Sequence, residues 1–378
     1  MKKLFFIKKR FSIHGGGENY MRTLIERLKG EYEITVLSSK WVETEGIRFQ
    51  KVSDLKMGLQ MGSFLSTSTF NKNVCSTIRK AAPGCIVSFE RTTCQDIYRA
   101  GEGCHAEWLE IRSRIEPFHK KLSFRINPLH LSLLNLEKEL FSSTGCIIAN
   151  SKMVRDNILK HYPVPAERLS IIYNGVDLLR FNPDNKGRWR KEIRKGLGIP
   201  GNVKLLLFVG SGFKRKGLEA LIDAAALIKR NDIKVIVIGK GNTSGYEGLA
   251  GKRGVRDKVV FLPPQKEIER SYAASDLFVL PTLYDPFSNA TLEAMAAGLP
   301  VITTKTNGVA ELIEEGKEGF TVSDPLDVKD LSGKIEFSLA GLRDMGENAR
   351  RKAENFPIER AAMELTEVIR RTAGTRAR

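Results

Sequence analysis

Consecutive cations on a glycine-rich turn are the first feature of this chain that could do chemistry. In Val209-Gly210-Ser211-Gly212-Phe213-Lys214-Arg215-Lys216-Gly217 they follow an apolar run and precede a helix-like pattern. Such a loop can hold a diphosphate, because arginine offers a planar fork and lysine a point charge. A solvated charge run would carry the same residues. The second feature is Tyr284-Asp285-Pro286-Phe287-Ser288-Asn289-Ala290-Thr291-Leu292-Glu293, followed by AMAAGLP. A helix starting near Ser288 or Asn289 would aim free N–H groups at an anion. Asp285 before it and Glu293 one turn in could accept hydrogen bonds from hydroxyls. As an alternative, Asp285 is a helix-start acid and Glu293 an exposed face, although Leu292, Ala294 and Met295 surround Glu293. The third is His14-Gly15-Gly16-Gly17-Glu18, where glycines permit close backbone approach and a helix N-terminus attracts anions. A tight strand-to-helix turn would look the same. It is not G-x-G-x-x-G, and no P-loop G-K-[ST] occurs.

These loops need elements to position them. Candidate strands are Leu4–Ile7, Glu33–Ser38, Cys85–Phe89, Cys146–Asn150, Leu205–Gly210, Lys234–Gly239, Val259–Leu262, Leu277–Pro281 and Val301–Thr304. Several are apolar without alternation, as in parallel strands covered by helices on both faces. Amphipathic stretches such as Glu18–Leu28 and Leu218–Lys229 lie between them. The pattern predicts a doubly wound α/β fold. A turn-prone seam at Tyr173–Asp177 separates two halves of similar character, one starting at Met1 and one near Val203. Two Rossmann-like domains follow, 1–175 and 176–357, facing a central cleft at the carboxyl ends of their strands. The helical pattern in 358–378 is expected to cross back to the first domain, and loss of the final TAGTRAR to be tolerated.

Composition narrows the class. The chain has 378 residues, 61 Lys+Arg against 44 Asp+Glu, and a formal net charge of +17. Its length favours two domains, and 42% apolar with 28% charged residues excludes a disordered or fibrous protein. No apolar run approaches the roughly 18 residues of a membrane span. The N-terminus MKKLFFIKKRF lacks the apolar core of a signal peptide. Five cysteines without C-x-x-C spacing argue against disulfide frameworks and zinc ribbons, and for a reducing cytoplasm.

The GGGE turn, LSIIYNGVD, the VGSGFKRKG loop and the Asp285…Glu293 element with EAMAAGLPVI resemble, in this chain order, the GT-B retaining glycosyltransferases of family 4. The resemblance covers nearly the whole chain. Within the family, Asp96–Glu107 (DIYRAGEGCHAE) and the compact F-x-R-K-G loop are particularly similar to the lipopolysaccharide inner-core glucosyltransferase acting on heptose. The resemblance implies a nucleotide sugar, UDP-linked glucose first, held mostly by the second domain, and an acceptor held mostly by the first. Arg215 and Lys216 match the pair that neutralises the departing diphosphate, Glu293 the acid holding the ribose hydroxyls, and Asp285 the acid near the donor sugar. Gly212 belongs to the phosphate loop, Gly15 and Gly16 match the turn approaching the donor phosphates, and the amides around Phe287, Ser288 and Asn289 would support sugar or phosphate oxygens. His105 and Glu102 match the loop facing the donor sugar. Asp285 replaces the usual Glu and Ser288 the usual Gly, which leaves the donor hexose open. No D-x-D occurs, so cationic side chains rather than a metal are expected to neutralise the diphosphate. On this reading Lys216→Ala abolishes transfer while leaving folding intact.

The charge is uneven, with 27 basic and 17 acidic residues in 1–175 and 34 and 27 in 176–378. Between Arg112 and Arg125, five cations (Arg112, Arg114, Lys120, Lys121, Arg125) meet one Glu, with Phe118, Leu122 and Phe124 interleaved. This reads as an element docking on an anionic membrane, peripheral on the inner face, or meeting a phosphorylated acceptor. A solvated helix packed on its own domain is the alternative. A second basic cluster, Lys186–Lys195, reads as an exposed helix. The expected partners are therefore a nucleotide sugar, a lipid-linked or lipopolysaccharide-core acceptor and a membrane surface. A soluble acceptor is the competing enzyme reading. A nucleic-acid-binding protein would explain +17 through phosphate contacts but leaves the loops without purpose.

Overall fold

The computed structural model describes residues 2–10, 16–41, 47–54, 61–81 and 83–375. The chain divides into two compact units, Met1–Tyr173 with Glu359–Arg378, and Asn174–Ile358. The first runs β1 (Lys2–Ile7), α1 (Gly16–Leu28), β2 (Tyr32–Ser38), β3 (Arg48–Lys51), α2 (Met61–Ala81), β4 (Cys85–Ser88), β5 (Ile97–Ala100), α3 (His105–Ile115), α4 (Phe118–Ile126), α5 (Pro128–Ser143), β6 (Cys146–Ala149), α6 (Lys152–His161) and β7 (Leu169–Ile171). The second runs α7 (Asn185–Gly196), β8 (Lys204–Val209), α8 (Leu218–Leu227), β9 (Ile233–Ile238), α9 (Ser244–Lys252), β10 (Val259–Leu262), α10 (Ile268–Ala274), β11 (Leu277–Leu280), α11 (Asn289–Ala296), β12 (Val301–Thr304), β13 (Gly319–Val322), α12 (Val328–Ser338) and α13 (Leu342–Ala353). Helix α14 (Ile358–Thr375) then returns the chain to the first unit.

Each unit is built on one parallel sheet, ordered β3-β2-β1-β4-β5-β6-β7 in the first and β10-β9-β8-β11-β12-β13 in the second. Both are α/β and Rossmann-like. In each, the strand order reverses once, between β1 and β4 and between β8 and β11. A crevice opens at the carboxyl ends of such a pair, where open α/β sheets bind ligands. All nine predicted strands are present, most of them because their apolar runs are buried on both faces, whereas edge strand β10 is only partly buried. Phe5, Ile7, Leu37 and Ile86 pack against Phe70, Val74 and Ile78 of α2, and Ile147 and Tyr98 pack with Leu140, Phe141 and Ile158.

Three expectations are corrected. Cys75 and Cys94 are joined as a disulfide with Cα atoms 5.5 Å apart, so the case against disulfides fails for this pair. Their spacing of 19 residues has no signal because α2 and the loop after β4 bring them together only in the fold. The cluster Lys186–Lys195 is not simply an exposed helix. Arg194 is buried, donating to Asp276 Oδ2 at 2.5 Å, Ala274 O at 2.9 Å and Val203 O at 2.8 Å, while Arg190 takes Asp276 Oδ1 at 2.6 Å. These cations fasten α7 to the start of β11. Finally, α14 continues into the tail thought dispensable, and Ala373 is buried. Tyr20 Oη donates to Ala361 O at 3.1 Å and Arg370 pairs with Glu31, both within the first unit. No helix among the described residues is long and apolar enough to cross a membrane.

Candidate functional site

In the second unit, the loop after β8 and the loop after β11 meet at the point where strand order reverses. The stem of Lys216 crosses Gly210, where a Cβ would lie 3.2 Å from Lys216 Cγ. Gly212 and Gly217 both have φ of 76°, and a Cβ on Gly217 would fall 1.8 Å from Pro281 O, so only glycine lets the loop turn into α8 there. Arg215 is clamped to the facing loop: its carbonyl accepts from Leu283 N–H at 2.8 Å and Thr282 Oγ1 at 2.9 Å, and its Nη1 donates to Tyr284 O at 2.8 Å. Lys216 Nζ forms an ion pair with the buried carboxylate of Asp285. Two residues expected to act separately on diphosphate and sugar are thus partners. This corrects the expectation that Lys216→Ala leaves folding untouched, since it would strand the Asp285 carboxylate.

The remaining candidates of the second unit lie on and just before helix α11. Ser288 is its N-cap, its Oγ accepting from Thr291 N–H at 3.3 Å, and Ser288 N–H donates to Asn307 Oδ1 at 3.1 Å. That amide is therefore not open to a sugar oxygen in this state. Phe287 is buried, and Asn289 Oδ1 accepts from Asn174 Nδ2 at 2.6 Å. Glu293 is partly buried with Tyr272 Oη 3.0 Å from its Oε2. Burial pushes the Glu293 carboxyl above its ordinary range, with Glu269 adding repulsion, against the Tyr272 hydrogen bond and Arg180. The alternative of an exposed helical face does not hold for this acid.

The folded form of Glu293 favours the proton, so its ionised form weakens the fold at neutral pH. Glu293→Gln is therefore expected to raise the midpoint of thermal unfolding at pH 8. The gain shrinks as pH falls, and vanishes below about 4, where the glutamate becomes protonated in the unfolded state as well. If Glu293 holds the ribose, the same variant raises donor KM about tenfold, the scale of a hydrogen bond to a charged group. A KM unchanged beside altered stability would leave Glu293 a packing residue only.

The first unit carries the other candidates. His105 opens α3, its backbone N–H donating to Glu137 Oε1 at 2.7 Å and its Nε2 lying 3.1 Å from His130 Nδ1. Burial, helped by Arg91, His130 and Arg112, lowers its pKa to about 3. His105 is thus neutral at physiological pH and can hydrogen-bond but not supply charge. Glu102 pairs with Arg91, which also donates from Nε to Glu137 at 2.9 Å. Gly15 lies outside the described residues, and Gly16 begins α1.

The basic segment spans the end of α3 and all of α4. Arg112 stacks 4.3 Å over Phe124 and pairs with Glu116 at 3.5 Å. Arg114 pairs with Glu110 at 2.5 Å and Lys120 with Glu116 at 3.4 Å. Lys121 is partly buried, and the side chains of Arg125 and Leu122 lie outside the described residues. Phe124, expected to face a membrane, is buried, whereas Phe118 and Ile126 are 80% and 69% exposed. Three of the five cations are therefore offset by acids one helical turn away.

Sequence reasoning missed Glu137, Arg91, His130, Tyr272 and Asn307. None belongs to a ligand-like motif, and each meets its partner only through the fold.

A glycosyl transferases group 1 family matches residues 190–352, and glycosyltransferase family 4 matches residues 96–180. Lipopolysaccharide glucosyltransferase WaaG of Escherichia coli K12 is 30% identical over 71% of this chain and 72% of its own length. The chain belongs to this group of GT-B glycosyltransferases. An uncharacterized glycosyltransferase, MJ1607 of Methanocaldococcus jannaschii, is 32% identical over 47% of the chain, and the match spans only 46% of that relative. A crystal structure of WaaG superposes with a TM-score of 0.82 at 24% identity, covering 97% of this chain and 99% of that one. Anabaena HepE in complex with UDP-glucose gives a TM-score of 0.72 at 19% identity over 97% and 99%. These two structures bear on the fold.

Proposed function

We propose that the protein is a retaining hexosyltransferase that moves glucose from a UDP-linked donor to a lipopolysaccharide-core or other lipid-linked glycan at the cytoplasmic membrane face. The observation that carries this is the convergence of Arg215, Lys216 and Asp285 where the strand order reverses in the second unit. Arg215 and Lys216 stabilise the charge that develops on the leaving diphosphate, which lowers the barrier directly. The acceptor hydroxyl attacks from the face the diphosphate leaves, and the departing phosphate oxygen takes its proton, so no protein base is required. Asp285 and Glu293 orient sugar and ribose hydroxyls, and neutral His105 and Glu102 belong to the loop that the family resemblance matches to the donor sugar. The WaaG likeness and the UDP-glucose complex of HepE support the donor and acceptor assignment.

A thermal-shift panel of UDP, ADP and GDP sugars tests the donor. A ligand at about 100 times its dissociation constant adds about 2.7 kcal/mol, and the UDP-sugar is expected to give that gain alone. Retention is checked by proton NMR of the newly formed anomeric centre, and an inverted product refutes it. A second reading, transfer to an acceptor off the membrane, is favoured by the acids that offset Arg112, Arg114 and Lys120. Flotation with anionic liposomes at low salt separates the two, since absence of binding sinks the membrane version.

A further inference from the structure

A cavity of about 360 Å³ lies in the first unit, lined by Lys8, Lys9, Arg10, Glu90, Arg91 and Glu102, with Thr67, Phe70 and Leu133 as its remaining wall. Its size suits a small-molecule site. Its place is telling, because Lys8–Arg10 follow β1 and Glu90–Arg91 follow β4, the two strands between which the order of this sheet reverses. Most of its charges are already matched. Lys8 Nζ pairs with Glu90 at 2.8 Å, and Arg91 is held by Glu102 and Glu137. Lys9 and Arg10 remain: among the described residues neither has a carboxylate at ion-pair distance.

Their backbone is fixed, not a loose tail. Lys9 N–H donates to Glu90 Oε1 at 3.2 Å, Lys9 O accepts from Ser39 N–H at 3.0 Å, and Arg10 bridges to Lys40. Lys9 Nζ stands 5.8 Å from the centre of the Phe70 ring, and burial lowers its pKa, so an anion placed there would recover lost solvation. We infer that this cavity receives a phosphorylated sugar, whose phosphomonoester is bound by Lys9 and Arg10. Near pH 7 a phosphomonoester carries about −1.5 to −2, which matches two unpaired cations, whereas a carboxylate would leave one uncompensated. Phe70 and Leu133 give an apolar wall for the C–H face of the ring, and Glu90 and Glu102 offer oxygens to its hydroxyls. The site thereby assigns the acceptor as a phosphosugar; this rests on the transferase reading above.

The test is calorimetric titration of the full chain saturated with UDP, which occupies the Arg215–Lys216 loop. Glucose 6-phosphate, glucose, glucuronate and glycerol 3-phosphate serve as probes for the protein and for a Lys9→Met/Arg10→Gln variant. Glucose 6-phosphate is expected to bind at least about tenfold tighter than glucose, and the variant to lose about ten- to a hundredfold of that affinity with UDP binding unchanged. Glucose 6-phosphate binding no tighter than glucose, or equally well to the variant, overturns the inference. So does equal affinity for glucuronate, which would make the site carboxylate-selective, or for glycerol 3-phosphate, which would make it a lipid-headgroup site. Failure of UDP itself to bind defeats the transferase reading instead.

Discussion

Lys216→Met is expected to lower kcat by about 10²- to 10³-fold, the scale seen when one donor to developing negative charge is removed from an active site. The methionine keeps the apolar stem that crosses Gly210 but removes the ammonium paired with Asp285. Because both side chains are largely withdrawn from water, breaking this pair by one partner should also weaken the second unit by about 3–5 kcal/mol. Activity must therefore be normalised to folded protein. The double variant Lys216→Met/Asp285→Asn separates the effects: stability returns because no buried carboxylate is left unpaired, while turnover stays low. Near-wild-type turnover in either variant would remove Lys216 from the reaction. On the proposed function, donor binding would exchange partners, the diphosphate drawing on an ammonium that Asp285 holds beforehand.

The second large effect belongs to Glu137. This fully buried carboxylate accepts from Arg91 Nε, from the His105 and Ala106 amides that open α3, and from Tyr162 Oη at 2.8 Å. Amide donors at a helix N-terminus favour a negative charge, so one side chain caps α3 and anchors the Glu102–His105 loop. Glu137→Ala leaves Arg91 with exposed Glu102 as its carboxylate partner among the described residues, beside the Gly103 carbonyl at 3.1 Å, and is expected to cost about 3–5 kcal/mol. That corresponds to a fall of about 10 °C or more in the unfolding midpoint of the first unit, read by differential scanning calorimetry. A change of a degree or two would mean that water and Glu102 replace the carboxylate.

The strands found in advance are those whose apolar residues run consecutively, as with Leu205–Val209 and Lys234–Ile238, where burial on both faces leaves a continuous signal. Four escaped detection for separate reasons. Strand β3 is an exposed edge reading RFQK, β5 contains buried Arg99 stacked 4.4 Å from the Tyr20 ring, β7 has three residues, and β13 begins at Gly319, where a Cβ would strike Val301 O. The same division holds for the site. Arg215, Lys216 and Asp285 were legible because loop chemistry is written in contiguous residues. Glu137 lay unnoticed in the amphipathic pattern of α5, because its partners come from positions 91, 105, 106 and 162. The cysteines failed in the other direction: absence of a short-range spacing said nothing about a pair closed by the fold.

The return of α14 to the first unit has a consequence for how the molecule comes into being. The second unit, Asn174–Ile358, is one uninterrupted stretch and can close as soon as it leaves the ribosome. The first unit is completed later, since Ala361, Leu365 and Ile369 of its core follow the whole of the second unit in the chain. Until then residues 1–173 lack the helix that packs on them, so translation halted between the second unit and α14 yields a product with that unit finished and the first one incomplete.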